Sequence, residues 1–210
     1  MNLYIFNETR IAAVFGVGTY IRELTNTLRN SNINVCVVNL WSEKPHIQTE
    51  EKGGIRYWYF PSPIPEERTA NYKKQREMYF CNVVYLLQLL IEDKKELIFH
   101  LNYMNGKPLA DSLKIAFNCK IVLVVHYLES VMTLLGNISQ LRRIISQPND
   151  PTDAKERFAK ISFQEEKEML HTVDKIICLA NHTFDLLHQV YQIDKEKMIV
   201  IPNGLFDVAI

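Results

Sequence analysis

Cysteine is sparse and scattered in this chain. Cys36, Cys81, Cys119 and Cys178 lie far apart, and no C-x-x-C spacing occurs, which argues against a thiolate zinc site. Three of the four sit in or beside apolar, strand-like runs, as buried free thiols of a reducing compartment do, so a cytoplasmic protein without a metal is expected. An excess of charge of one sign is also lacking. With 24 basic and 24 acidic residues there is no overall field to steer the chain to nucleic acid or to an anionic membrane. Long apolar runs are missing too. The densest, Met78 to Ile91, contains Asn82 and Gln88 and falls short of the ~20 residues that a spanning helix needs. The first residues carry no basic region and already include Glu8, so no signal peptide is expected and membrane association is not indicated.

What is present is an ordinary globular composition. Of 210 residues 47% are hydrophobic and 23% charged, enough to bury a core without disulfides or metals. Short apolar runs alternate with stretches of helical periodicity. Strands are expected over Leu3–Phe6, Val35–Leu40, Ile55–Phe60, Leu97–Leu101, Lys120–His126, Lys175–Ala180 and Met198–Ile201. Helices are expected over Thr19–Arg29, Ala70–Glu92, Ala110–Phe117, Glu129–Gln147, Thr152–Val173 and Asn181–Tyr191, with Asn181 as N-cap of the last. Pro61 to Pro65 reads as an extended connector, and the more alternating Ile55–Phe60 should lie nearer a sheet edge. Strand–helix alternation throughout argues a doubly wound, mostly parallel α/β sheet with helices on both faces. The apolar second half of the Ala70–Glu92 helix exceeds one buried stripe, so it should be buried on several sides.

Ligands of such sheets bind at the carboxyl ends of the strands, and three candidate sites fall there. Gly16 and Gly18, in Phe15-Gly16-Val17-Gly18-Thr19, allow positive φ and close approach of a ligand at the start of a helix whose free N–H groups favour phosphate. The dinucleotide fingerprint is incomplete, because Ile21 stands at its third glycine and the loop before Gly16 is too long. His126 ends the most buried strand, followed by Tyr127 and Glu129. Asn102 and Tyr103, after another strand, lie in a polar and aromatic loop suited to sugar hydroxyls and rings. Glu165, Glu166 and Glu168 with Lys160 and Lys167 read as a solvated helix face, and Arg142 with Arg143 as a small basic patch.

The order of these landmarks resembles the N-terminal half of the family-four retaining glycosyltransferases, which have the two-domain GT-B fold. Gly16-Val17-Gly18-Thr19-Tyr20-Ile21-Arg22-Glu23-Leu24 is similar to the family's "G-G-V-G-x-x-x-x-E-L" segment. Asp174-Lys175-Ile176-Ile177 follows an acid-containing helix as in "A-D-x-I-I-x-x-S", and Ile201-Pro202-Asn203-Gly204 matches the closing "V-I-P-N-G". Phe15, Val173 and Asn181 depart from the pattern. The resemblance implies transfer of a sugar, with retention and without a metal or other cofactor, from a nucleotide-sugar donor to a glycan or lipid-linked acceptor. It implies that the loop Gly16, Val17, Gly18 and Thr19 lies near the donor phosphate and acceptor, and that His126 contacts the transferred sugar as the catalytic histidine. Asn102, Tyr103, Tyr127 and Glu129 are then candidate acceptor contacts. Residues 1–204 would form the acceptor-side domain and residues 205–210 the start of a linker. A C-terminal domain of the same polypeptide would bind the nucleotide and supply an E-x₇-E pair, without which the chain is expected to be inactive. Two other readings stand beside this one: a stand-alone nucleotide- or glycan-binding module with a separate catalytic partner, and an unrelated flavodoxin- or Rossmann-like nucleotide binder.

Overall fold

The computed structural model describes residues 1–8, 16–63 and 72–203. Phe15, the connector beyond Pro63 and the residues from Gly204 onward lie outside the described residues. The elements, in chain order, are β1 (Asn2–Glu8), α1 (Val17–Leu28), β2 (Asn34–Ser42), β3 (Gln48–Lys52), β4 (Ile55–Pro61), α2 (Tyr72–Leu90), β5 (Leu97–Leu101) and α3 (Lys107–Ala116). They continue with β6 (Cys119–Val125), α4 (Glu129–Thr133), α5 (Ile138–Ser146), α6 (Ala154–Thr172), β7 (Lys175–Cys178), α7 (Asn181–Gln189) and β8 (Met198–Val200). The strand order is β3-β4-β2-β1-β5-β6-β7-β8, so the fold is the expected mostly parallel α/β sheet. Two compact units divide the chain: residues 1–102, 108–122 and 203–210, and residues 103–107 with 123–202.

In the first unit, β1 pairs in parallel with β2 (Leu3 opposite Val35, Phe6 opposite Val38) and with β5 (Tyr4 opposite Phe99). Leu3 to Phe6 and Val35 to Val38 are buried along their whole length, as strands covered on both faces must be. The edge belongs to β3, which pairs antiparallel with β4. Its sequence, Gln-Thr-Glu-Glu-Lys, has no apolar alternation, so periodicity does not reveal it; charge on an edge strand protects it from further pairing. The hairpin turns on Gly53 and Gly54, both at positive φ (58° and 75°), as a two-residue loop of the primed type requires.

Tyr79 of α2 ties three elements together. The register of β2 against β4 shifts between Asn39 and Ser42, and Trp41 adopts φ 54°. The Trp41 N–H donates to the Tyr79 hydroxyl (2.9 Å), which donates to the Phe60 carbonyl (3.1 Å), and the two rings stack at 3.8 Å. Tyr79→Phe is therefore expected to cost about 2 kcal/mol in a denaturant titration, since buried backbone groups lose their partner. On the other side of α2, Met78, Tyr85 and Leu89 are more than half exposed, so this helix is not buried on several sides as its composition suggested.

In the second unit β7 and β8 pair in parallel, Ile176 opposite Met198. The single helix expected over residues 129–147 is two. Leu135 (φ 53°) and Gly136 (φ 81°) turn the chain left-handed, with the Gly136 N–H on the Val131 carbonyl (2.9 Å), the pattern of a glycine-ended helix. Asn137 then caps α5 by accepting from Gln140 N (3.0 Å). At α7 the N-cap is Ala180, not Asn181, which is the exposed first helical residue; no side chain caps this end. Helix α6 buries Ala159, Phe163, Glu166 and Leu170 along one face. Glu166, expected on a solvated face, is thus in the interior. None of the four cysteines forms a disulfide; Cys36 and Cys178 are buried and Cys81 is exposed.

Candidate functional site

In the first unit, polar groups gather where β1 and β5 end and α1 begins. Gly16 is the N-cap of α1 at φ 68°, and among the described residues no side chain caps this terminus. Gly18 lies within the first helical turn, so the positive φ expected of both glycines falls on Gly16 alone. Val17 is fully buried and anchors the helix start, while Gly16 and Thr19 are exposed. The first turn thus presents backbone N–H groups at the positive end of a twelve-residue helix. A Cβ at Gly16 would meet nothing within 4 Å, so Gly16→Ala should cost only the left-handed strain, about 1 kcal/mol, read as a lowered denaturation midpoint.

Tyr20, one turn on, holds its hydroxyl 3.3 Å from His100 Nε2, and burial pushes its phenol up to about 12. Asn102 is buried and donates its amide to the Phe6 carbonyl (2.9 Å), joining the ends of β5 and β1. Glu8, also buried, takes a 2.8 Å ion pair from Arg76 Nη2 of α2. Burial raises the Glu8 carboxyl and the guanidinium opposes it. Arg76 lies over the Phe80 ring (5.1 Å), and its buried Nε has no hydrogen-bond partner among the described residues. Sequence reasoning did not single out Arg76, because a lone basic residue in a polar helical turn carries no signal until its partner is known.

In the second unit the end of β6 opens into a pocket of about 570 Å³. His126 and Tyr127 line it together with His182 and Thr183 from the first turn of α7, and Val131, Met132, Ile138 and Leu186 supply apolar walls. His126 is half-buried, and desolvation lowers its imidazole to about 4, so the ring is neutral near pH 7. Glu129 is exposed at the start of α4, and Tyr103 is buried with its carbonyl accepting from the Gly106 N–H (3.2 Å). Of the predicted residues of this unit, the pocket brings together His126 and Tyr127; Glu129 and Tyr103 are not among its lining. His182 and Thr183 were missed, although their place just past an apolar strand is the same signal that marked His126.

In the same unit, Glu166 of α6 accepts from the Ser130 N–H (3.2 Å), the Ser130 hydroxyl (2.6 Å) and the Tyr191 hydroxyl (2.7 Å). Burial raises its carboxyl despite these bonds. The basic patch is engaged locally: Arg143 pairs with Glu156, and Arg142 donates to Gln189 (3.2 Å). Among the described residues no cluster of three His, Cys, Asp or Glu is arranged for a metal ion, and no helix is long and apolar enough to cross a membrane.

The family model of Glycosyltransferase Family 4 matches residues 14–205, nearly the whole chain. The chain belongs to Glycosyltransferase Family 4. Its family segment contains both Gly16–Thr19 and His126. Solved structures agree on the fold, that of GT-B enzymes. Sucrose-phosphate synthase from Thermosynechococcus elongatus aligns with TM-score 0.66 at 14% identity over 98% of this chain. An α,α-trehalose-phosphate synthase (UDP-forming) from Burkholderia vietnamiensis aligns with TM-score 0.57 at 9% identity, again over 98%. In both cases the chain spans 48% of the other protein's length. Among curated protein sequences none matches.

Proposed function

We propose that this family-four chain is the acceptor-side domain of a retaining glycosyltransferase that moves a sugar from a nucleotide-sugar donor to a glycan or lipid-linked acceptor. The observation that carries this reading is the family match over residues 14–205, with His126 just past the carboxyl end of strand β6, where folds of this class bind ligands. In this reading the neutral His126 ring offers one donor and one acceptor to a hydroxyl of the transferred sugar. The uncapped start of α1 offers its N–H groups to the donor phosphate, which favours a helix N-terminus for its charge and its acceptor oxygens. Neither role requires a metal or other cofactor.

A second domain of the same polypeptide would hold the nucleotide and supply the E-x₇-E carboxylates. The support for it is that the chain spans 48% of the synthases it aligns with. Transfer needs donor charge stabilised and both reactants oriented, so these 210 residues alone are expected to be inactive. The test begins with the native gene beyond the codon for Ile210. An open frame of about another domain containing E-x₇-E, whose product releases nucleoside diphosphate and gives a glycoside of retained configuration by NMR, is the expected result. A stop codon there, with no donor turnover by the chain and any co-encoded partner, would remove the reading.

A further inference from the structure

The pocket beside His126 has a chemical character that membership of the family does not dictate. Its walls are aliphatic: Val131 and Met132 from α4, Ile138 at the start of α5, and Leu186 from α7. Among the described residues no lysine, arginine, aspartate or glutamate lines it, and its polar side chains are His126, Tyr127, His182 and Thr183. At neutral pH the His126 ring adds no charge. Phosphate and carboxylate groups are recognised by guanidinium, ammonium or clustered N–H donors; the first turn of α7 brings N–H groups to the pocket, but the described lining side chains set no guanidinium or ammonium beside them. Met132 nevertheless stays 46% exposed at the pocket, and Leu135, on the turn that leads to Gly136, is 87% exposed. A concave, largely apolar pocket of about 570 Å³ with a few convergent polar groups, at the end of strand β6, has the form of a small-molecule site.

Resting on the glycosyltransferase reading, we propose that this pocket binds the aliphatic chain of an uncharged acceptor, between Val131–Met132 and Leu186, with the hydroxyl-bearing end toward His126. The acceptor is then an alkyl-bearing glycoside or alcohol rather than a sugar phosphate seated here. Each methylene buried against such walls strengthens binding about fourfold.

The test compares three probes that share one sugar, titrated calorimetrically into the 210-residue chain: methyl β-D-glucopyranoside, n-octyl β-D-glucopyranoside below its micelle concentration, and glucose 6-phosphate. The octyl glucoside is expected to bind at a single site at least about tenfold more tightly than the methyl glucoside, and glucose 6-phosphate should not displace it. Met132→Glu, at an exposed position that leaves folding intact, should weaken octyl binding at least about fivefold, and Leu186→Ala should weaken it as well. Equal binding of the two glucosides, displacement by glucose 6-phosphate, or octyl binding indifferent to Met132→Glu overturns the proposal. The two readings fail separately. Transfer by the complete enzyme to short polar acceptors only would overturn the pocket assignment and keep the enzyme. Octyl binding lost in Met132→Glu, with no transfer to any acceptor, would keep the apolar site and remove the enzyme.

Discussion

Replacing His126 with alanine is expected to lower the transfer rate of the complete enzyme about a hundredfold or more, while its melting temperature at pH 7 moves by only a few degrees. The ring is half-buried at the mouth of β6, not packed in the core, so its removal empties a site open to water. Its desolvated environment lowers its protonation from the ordinary 6.5 to about 4. Between those values the unfolded chain binds the proton more readily than the folded one, so this group's effect is a loss of stability as the pH falls from 6.5 toward 4. His126→Ala should lose less stability than the wild type over that window. The same neutral ring means that kcat should show no titration of this group between about pH 6 and 8. Parallel transfer assays and thermal melts decide the matter. A rate lost in step with the folded fraction would make His126 a structural residue, and an unchanged rate would remove it from the site.

The parts of the fold most legible in the sequence were those where burial is continuous. Val35 to Leu40 read as a strand because a parallel sheet covered on both faces leaves no room for polar alternation, and Leu123 to Val125 are likewise buried without a break. The edge strand Gln48–Lys52 went unread for the opposite reason: it faces water, and its one sequence signal, the Gly53-Gly54 pair, was not used. The break between α4 and α5 was written in Leu135-Gly136-Asn137, but the apolar periodicity on either side masked it. His126 could be placed because a strand end is a positional signal. The interior position of Glu166 was hidden by its neighbours Glu165, Lys167 and Glu168, which do lie toward solvent or at the margin. Its spacing from Ala159, Phe163 and Leu170 follows the buried stripe of α6, and that periodicity, weighed above local charge, would have found it. Its partners Ser130 and Tyr191 are remote in sequence, so no local pattern could name them.

That carboxyl carries the largest expected stability effect. Ser130 Oγ lies 2.6 Å and the Tyr191 oxygen 2.7 Å from Glu166 Oε2, and the two hydroxyl oxygens are 2.8 Å apart. Both hydroxyls donate to the same carboxyl oxygen, and Oε1 accepts in addition from the Ser130 N–H. Burial raises the carboxyl above its ordinary 4.5, and the Tyr191 phenol as well. Because burial disfavours the charged form, the neutral isostere Glu166→Gln should keep stability within about 1 kcal/mol. Glu166→Ala strands the Ser130 and Tyr191 groups beside a void and should cost about 3 kcal/mol or more in denaturant unfolding. The sign of the pH dependence follows from the raised value. The stabilisation is fully present below 4.5 and is lost as the pH rises through the folded-state value, and the Gln variant lacks this slope. A wild type that gains stability relative to Glu166→Gln on going from pH 4.5 to 7 would show a carboxyl held below its ordinary value and refute the raised titration. The consequence reaches the pocket, because α4 has only five residues and cannot persist on its own hydrogen bonds. Glu166 holds Ser130 in its first turn, next to Val131 and four residues after His126, so under the proposed assignment of the pocket Glu166→Ala should raise KM for the acceptor before it abolishes folding.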